Sequence, residues 1–146
     1  MKKILSLLGL ATLLTCITSS AFAASDMVVI TNPGSGVDRL TRDEVTAIYM
    51  GRSKKLASGL QAIPIDQAPT NPEKARFYRD LIDKELPEVN SYWARLTFSG
   101  RGTPPRQVSS TSEVIDMVAT NKGAIGYIPR ASIDRRVHVV LDLGAQ

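Results

Sequence analysis

The sequence predicts a single α/β domain in which helices pack on a small sheet. Two observations carry this reading. Short β-branched apolar runs alternate with stretches whose apolar residues recur at helical spacing. The chain has 146 residues, and once an N-terminal leader is set aside, what remains suits one domain with a modest core. The elements follow in the order strand, helix, strand, helix, helix, helix, strand, strand, with no internal repeat and no low-complexity tract.

Residues 1–23 read as a secretory signal peptide. "MKK" is a basic start, "ILSLLGLATLLT" an apolar run, and "AFA" at Ala21 to Ala23 a small-residue cleavage signal. The apolar run is short for a membrane span, so the product is expected in the periplasm, with residues 24–146 as one domain. Cys16, the only cysteine, falls inside the leader, and Thr15 before it is bulkier than the residue a lipid-accepting cysteine prefers. Cleavage after Ala23 leaves no thiol, which excludes a disulfide framework, a cysteine nucleophile and a cysteine-ligated metal. Losing Lys2 and Lys3 takes the basic residues from 18 to 16 against 14 acids, and the formal net charge from +4 to +2. That balance does not argue for a nucleic-acid partner.

"DMVVIT" (26–31) is a β-branched strand ended by the turn residues of "NPGSG". In "LTRDEVTAIYMG", Thr41 and Glu44 have capping-box spacing, Val45, Ile48 and Tyr49 share a face, and Gly51 supplies a stop. "RSKKLASG" is a polar loop leading to the strand "LQAIPID", which Pro64 demotes toward a sheet edge. Asn71 as cap, Pro72 at the first position and Glu73 at the dipole's positive end start a helix carrying Phe77, Tyr78, Leu81 and Ile82 on one side. Pro87 is expected to stop it. "EVNSYWARLTF" is a further helix, "SGRGTPPRQVSS" a long irregular loop, and Ser110 with Glu113 start another helix that ends at Asn121 and Gly123. "AIGYI" and "VHVVLDL" are the last strands.

Few residues suggest catalysis. His138, the only histidine, alternates with valines and reads as a strand residue at an edge or a solvent face. A hydrolase would have to use it, and no Gly-x-Ser-x-Gly elbow accompanies it. Asp43 with Glu44 and Asp80 with Asp83 sit on exposed helix faces, and the aromatic pairs Phe77/Tyr78 and Tyr92/Trp93 have core spacing. The protein is therefore read as a non-enzyme that needs no cofactor and no metal. Three loops could hold an anion: "NPGSG" through backbone amides and Ser35, "SGRGTPPR" through Arg101 and Arg106, and "DQAPTNP" at a helix start. The residues alone do not choose among them.

"LTRDEVTAIYMGR", a helix beginning near "PEKARFY", "YWARLTFSGRGTPP" and "KGAIGYIP" occur in that order from about Leu40 to Pro129. Together they resemble the periplasmic phosphate-binding proteins of phosphate ABC transporters, and more closely the short single-domain members of that periplasmic-binding-protein superfamily. The resemblance implies one binding-protein lobe with a small mixed sheet flanked by helices, mainly the second of the two that close on phosphate. Backbone amides, hydroxyls and an arginine hold the anion in the family.

Where the family carries an "RSDGSGT"-like turn, this chain has "DQAPTNP", with Asp66 or Gln67 near the arginine's place. The resemblance then leaves Thr70, Asn71 and Gln67 as ligand contacts, with Ser35 and Arg101 as outlying candidates. It implies phosphate or another small oxyanion as ligand, ABC transporter membrane components as partners, and a homodimer as one way to complete the site. The rival expectation is a lobe that has lost its ligand and acts as an envelope interaction module.

Overall fold

The computed structural model describes residues 26–145, so the leader and Cys16 lie outside the described residues. Five strands are present: β1 (Met27–Thr31), β2 (Ile63–Gln67), β3 (Arg106–Val108), β4 (Ala124–Pro129) and β5 (His138–Asp142). Four α-helices join them: α1 (Arg42–Tyr49), α2 (Pro72–Ile82), α3 (Leu86–Phe98) and α4 (Thr111–Thr120). The sheet order is β3-β2-β4-β1-β5. β2 runs parallel to β3 and β4, whereas β1 is antiparallel to β4 and β5. The result is one mixed α/β lobe.

Helices cover both faces of the sheet, which is why β1 is buried along its whole length. Its residues alternate between two cores. Met27 and Val29 join Val45, Tyr49, Phe77, Leu81 and Trp93 beneath α1, α2 and α3. Val28 and Ile30 join Val114, Ile115 and Val118 beneath α4. Phe77 stacks on Tyr127 with ring centroids 3.8 Å apart, so these aromatics are core packing. His138 lies on edge strand β5, its Nε2 3.0 Å from the Asp38 carbonyl oxygen.

The helix starts follow from the sequence. Thr41 and Glu44 form a reciprocal capping box, and the Asn71 side chain accepts from the Glu73 N–H with Pro72 behind it.

Three expectations are corrected. β2 is an inner strand despite Pro64, because the Ile63 N–H donates to Gly123 on the β4 side, so position 64 turns its nitrogen toward β3. Pairing with β3 begins only at Ile65, so no ladder bond is lost. The segment after α3 is not all loop: Arg106–Val108 forms β3 alongside Ile65–Gln67. Pro87 does not end α2. That helix stops at Asp83 in the left-handed region (φ 53°), and Pro87 lies in the first turn of α3, where its missing N–H costs nothing.

Candidate functional site

In open α/β sheets, ligands are held outside the carboxyl ends of parallel strands. Here that edge includes the ends of β2 and β3, beside that of β4, and the starts of α2 and α4, which follow β2 and β3. The chain leaves β2 through a β-turn closed by the Asn71 N–H on the Ala68 carbonyl (2.9 Å), with Pro69 suited to its second position. The Ala68 N–H donates to the Val108 carbonyl, which ties this turn to the end of β3. Thr111, the first residue of α4, donates its hydroxyl to the Glu73 carboxylate of α2 at 2.7 Å. The two helix starts are thereby held together.

Beneath the turn the polar groups point inward. The paired register of β2 and β4 covers only Ile63 and Pro64. Beyond it, side chains complete the seam. The Tyr49 hydroxyl lies 2.9 Å from the Ile65 carbonyl and 3.1 Å from that of Ile125. Gln67 donates Nε2 to the Tyr127 carbonyl at 3.1 Å, while its Oε1 accepts from Asn71 Nδ2. Asp66 is 3% exposed and so is Lys74, and they form an ion pair at 3.2 Å. The Tyr127 and Tyr78 hydroxyls and the Gln67 N–H also donate to the Asp66 carboxylate. Burial, and secondarily the Asp66 charge, pushes the Tyr78 and Tyr127 phenols far above the ordinary range, so both stay protonated donors.

The sequence-predicted residues therefore divide. Gln67 is fully buried, and both ends of its side-chain amide are engaged. Asn71 caps α2 through its oxygen and holds Gln67 through its nitrogen. Thr70 is exposed, and among the described residues neither its hydroxyl nor its N–H meets a partner. Ser35 and Arg101 are not brought to this edge. Antiparallel pairing sets Thr31 opposite Ile125, so the loop carrying Ser35 leaves from the amino-terminal end of the parallel strands. Arg101 precedes β3 and lies at that same end. Ser35 is buried, its hydroxyl donating to Thr31 Oγ1 and accepting from the Val37 N–H.

The open donors belong to α4 instead. At the start of α2, Pro72 has no N–H, and those of Glu73 and Lys74 are taken by the Asn71 side chain and carbonyl. At the start of α4, Ser110 caps Glu113, but among the described residues the amides of Thr111 and Ser112 face no acceptor. Ser109, Ser110 and Ser112 expose their side chains around them. The carboxylates of Glu73 and Glu113 stand beside these donors as acceptors. Reading the sequence missed this pair of amides because backbone groups leave no trace in residue identity. The signal within reach was the serine run "SSTS" before an apolar helix.

No family model and no curated protein matches the chain. Solved structures do. One is an ABC-type phosphate transport receptor from Vibrio cholerae, at 17% identity and a TM-score of 0.62, with 79% of this chain covering 45% of that one. Another is a phosphate ABC transporter substrate-binding protein from Clostridium perfringens with bound phosphate, at 18% identity and a TM-score of 0.61, with 79% of this chain covering 44% of that one. A third is PstS from Borrelia burgdorferi, at 14% identity and a TM-score of 0.54, with coverages of 79% and 46%. The chain spans less than half the length of these proteins, and it has the fold of one part of a phosphate ABC transporter substrate-binding protein.

Proposed function

We propose that this chain is an exported, non-enzymatic binding lobe that takes phosphate or another small oxyanion at the carboxyl edge of β2 and β3. The observation that carries this reading is the pair of unengaged amides at Thr111 and Ser112, on the same edge of the sheet as the free hydroxyl and amide of Thr70. Gln67 and Asn71 then act behind the site, holding the turn that presents Thr70. The family likeness supplies the setting: a periplasmic lobe working beside ABC transporter membrane components, closed by a second copy or another chain. Glu73 and Glu113 tune the choice of anion. Hydrogen phosphate carries a proton that a carboxylate accepts, whereas sulfate has none at neutral pH and meets only repulsion.

Calorimetric titration of the purified protein with phosphate, and with sulfate as control, tests this. Phosphate is expected to bind more tightly than sulfate, and Thr70→Ala to weaken it. Thr111→Pro against Thr111→Val isolates the amide. Both remove the hydroxyl, and proline removes the N–H at a position where its φ is already helical and Ser110 before it is extended (φ −148°, ψ 158°). One lost bond to a charged ligand predicts about tenfold weaker binding in the proline variant. Absence of any saturable response to either anion up to about 0.1 M at matched ionic strength would remove the oxyanion reading.

A second reading, the envelope interaction module, is favoured by one observation. The side chains of Asp66, Gln67 and Asn71, nearest the place where the family holds its ligand, are all spent within the fold.

A further inference from the structure

At the opposite edge of the sheet, the amino-terminal end of β2 and β3, lies a groove of about 740 Å³. Its walls are the end of α1, the end of α3, the entry to β2 and the segment 100–106. Trp93 forms part of one wall, and two glycines let loops close upon its ring. At Gly51 (φ +70°) a Cβ would come within 2.7 Å of Trp93 Cη2, and at Gly102 within 3.3 Å of Cζ3. Trp93 is only 7% exposed, and its indole N–H is the one buried side-chain polar atom among the described residues without a partner.

The charge around this groove is one-sided. Lys54, Arg101 and Arg106 line it, and no carboxylate does. None of these three, nor neighbouring Arg52, Lys55 and Arg95, takes part in an ion pair among the described residues. The imbalance is present in the sequence, since 45–65 and 89–112 hold no acidic residue. Several cations elsewhere are matched: Arg76 to Asp26, Arg79 to Glu85, and Arg136 to Asp116 and Asp134. The others unpaired among the described residues, such as Arg39 and Arg135, are not gathered around a groove with an apolar floor. Phe98, between the lining residues Thr97 and Gly100, is 97% exposed at the end of α3. A large apolar side chain left wholly in water beside unpaired arginines marks a contact surface.

We propose that this groove docks an acidic segment of a partner protein. Carboxylates of the segment pair with Arg101, Arg106 and Lys54, an apolar side chain packs on Trp93 and Leu96, and Phe98 closes over it from the rim. The concavity and the apolar floor favour a chain with side chains of both kinds over a flat lipid surface. The surface is separate from the oxyanion edge, so either assignment survives the failure of the other.

The test uses a synthetic peptide of alternating glutamate and leucine and the emission of Trp93, the only tryptophan in the protein. The peptide is expected to shift this emission with an affinity that falls steeply between about 0.05 and about 0.3 M salt. Arg101→Glu with Arg106→Glu should weaken binding by about tenfold or more. Arg39→Glu with Arg135→Glu makes the same charge change at exposed cations that line neither wall, and should alter binding by less than about twofold. Equal weakening by the two double variants would reduce the effect to net charge and overturn the proposal. So would vesicles of phosphatidylglycerol that shift Trp93 when the peptide does not, or inorganic phosphate that shifts it at matched ionic strength.

Discussion

Asp66→Asn is the most informative single perturbation of the fold. The substitution keeps shape and volume but removes the charge facing Lys74 at 3.2 Å, where both groups are 3% exposed. At an effective dielectric of about 20, that separation corresponds to about 5 kcal/mol of attraction, which offsets the desolvation of both ions. Without the carboxylate, Lys74 is a buried cation with no counter-charge, and the amide turns N–H groups toward the Tyr78 hydroxyl or the ammonium. Breaking a buried pair from one side costs about 3–5 kcal/mol, a large fraction of the roughly 5–15 kcal/mol that holds a domain together. Urea unfolding at pH 7, followed by circular dichroism, measures this directly. Lys74→Met alone should also be costly, because Asp66 is then left buried and charged. The double variant should recover most of the loss, the apolar stem replacing the pair. A cost below about 1 kcal/mol for Asp66→Asn, or additive costs in the double variant, would refute the claim that the two charges depend on each other.

Three further outcomes follow from the same contacts. Asn71→Ala removes the α2 cap and leaves Gln67 Oε1 buried without its donor, so unfolding stability should fall by about 2–3 kcal/mol; a loss under about 0.5 kcal/mol would show that neither bond matters. Burial raises the phenols of Tyr49, Tyr78 and Tyr127, with Asp66 adding to it. Because the folded values lie above the unfolded one, this stability is complete below pH ~10 and declines above it by about 4 kcal/mol per pH unit for three tyrosines. Tyrosinate absorbance should accordingly show three of the four tyrosines ionising only together with unfolding. Gly126→Ala should cost about 1–3 kcal/mol in thermal or urea unfolding, since its Cβ would meet Val114 Cγ1 at 2.6 Å and Val118 Cγ2 at 3.2 Å.

What could be read in the sequence was local. The Thr41–Glu44 box, the Asn71–Pro72 start and the apolar stripes of α1 to α4 depend on neighbours three or four residues apart, and all of them hold. Strand β3 could not be read, because "RQV" has no alternation and becomes a strand only through the ladder offered by β2. Pro64 misled because the rule concerns a lost donor, and here that donor would have pointed where no partner runs. The buried pair left a signal that went unused. Lys74 occupies the stripe completed by Phe77, Tyr78 and Leu81, and a lysine inside an apolar stripe implies a carboxylate beneath it.

The inward turn of Asp66 and Gln67 also bears on affinity. Both residues complete the seam that β2 and β4 leave open beyond Pro64, so neither can reach outward without breaking it. An oxyanion at this edge is left with neutral donors, chiefly the amides of Thr111 and Ser112 and the hydroxyl of Thr70. Three such bonds to a charged ligand contribute about 5–9 kcal/mol, while immobilising the ligand costs about 4 kcal/mol or more. The remainder, about 1–5 kcal/mol at most, corresponds to millimolar binding at its favourable end and weaker binding otherwise. A cation facing the anion from a second surface would add the missing term, and Lys54, Arg101 and Arg106 of this lobe, unpaired among the described residues, stand at the far edge of the sheet. Tight binding at the carboxyl edge therefore requires a second lobe, from another copy or another chain, to supply the charge that Asp66 and Lys74 keep between themselves.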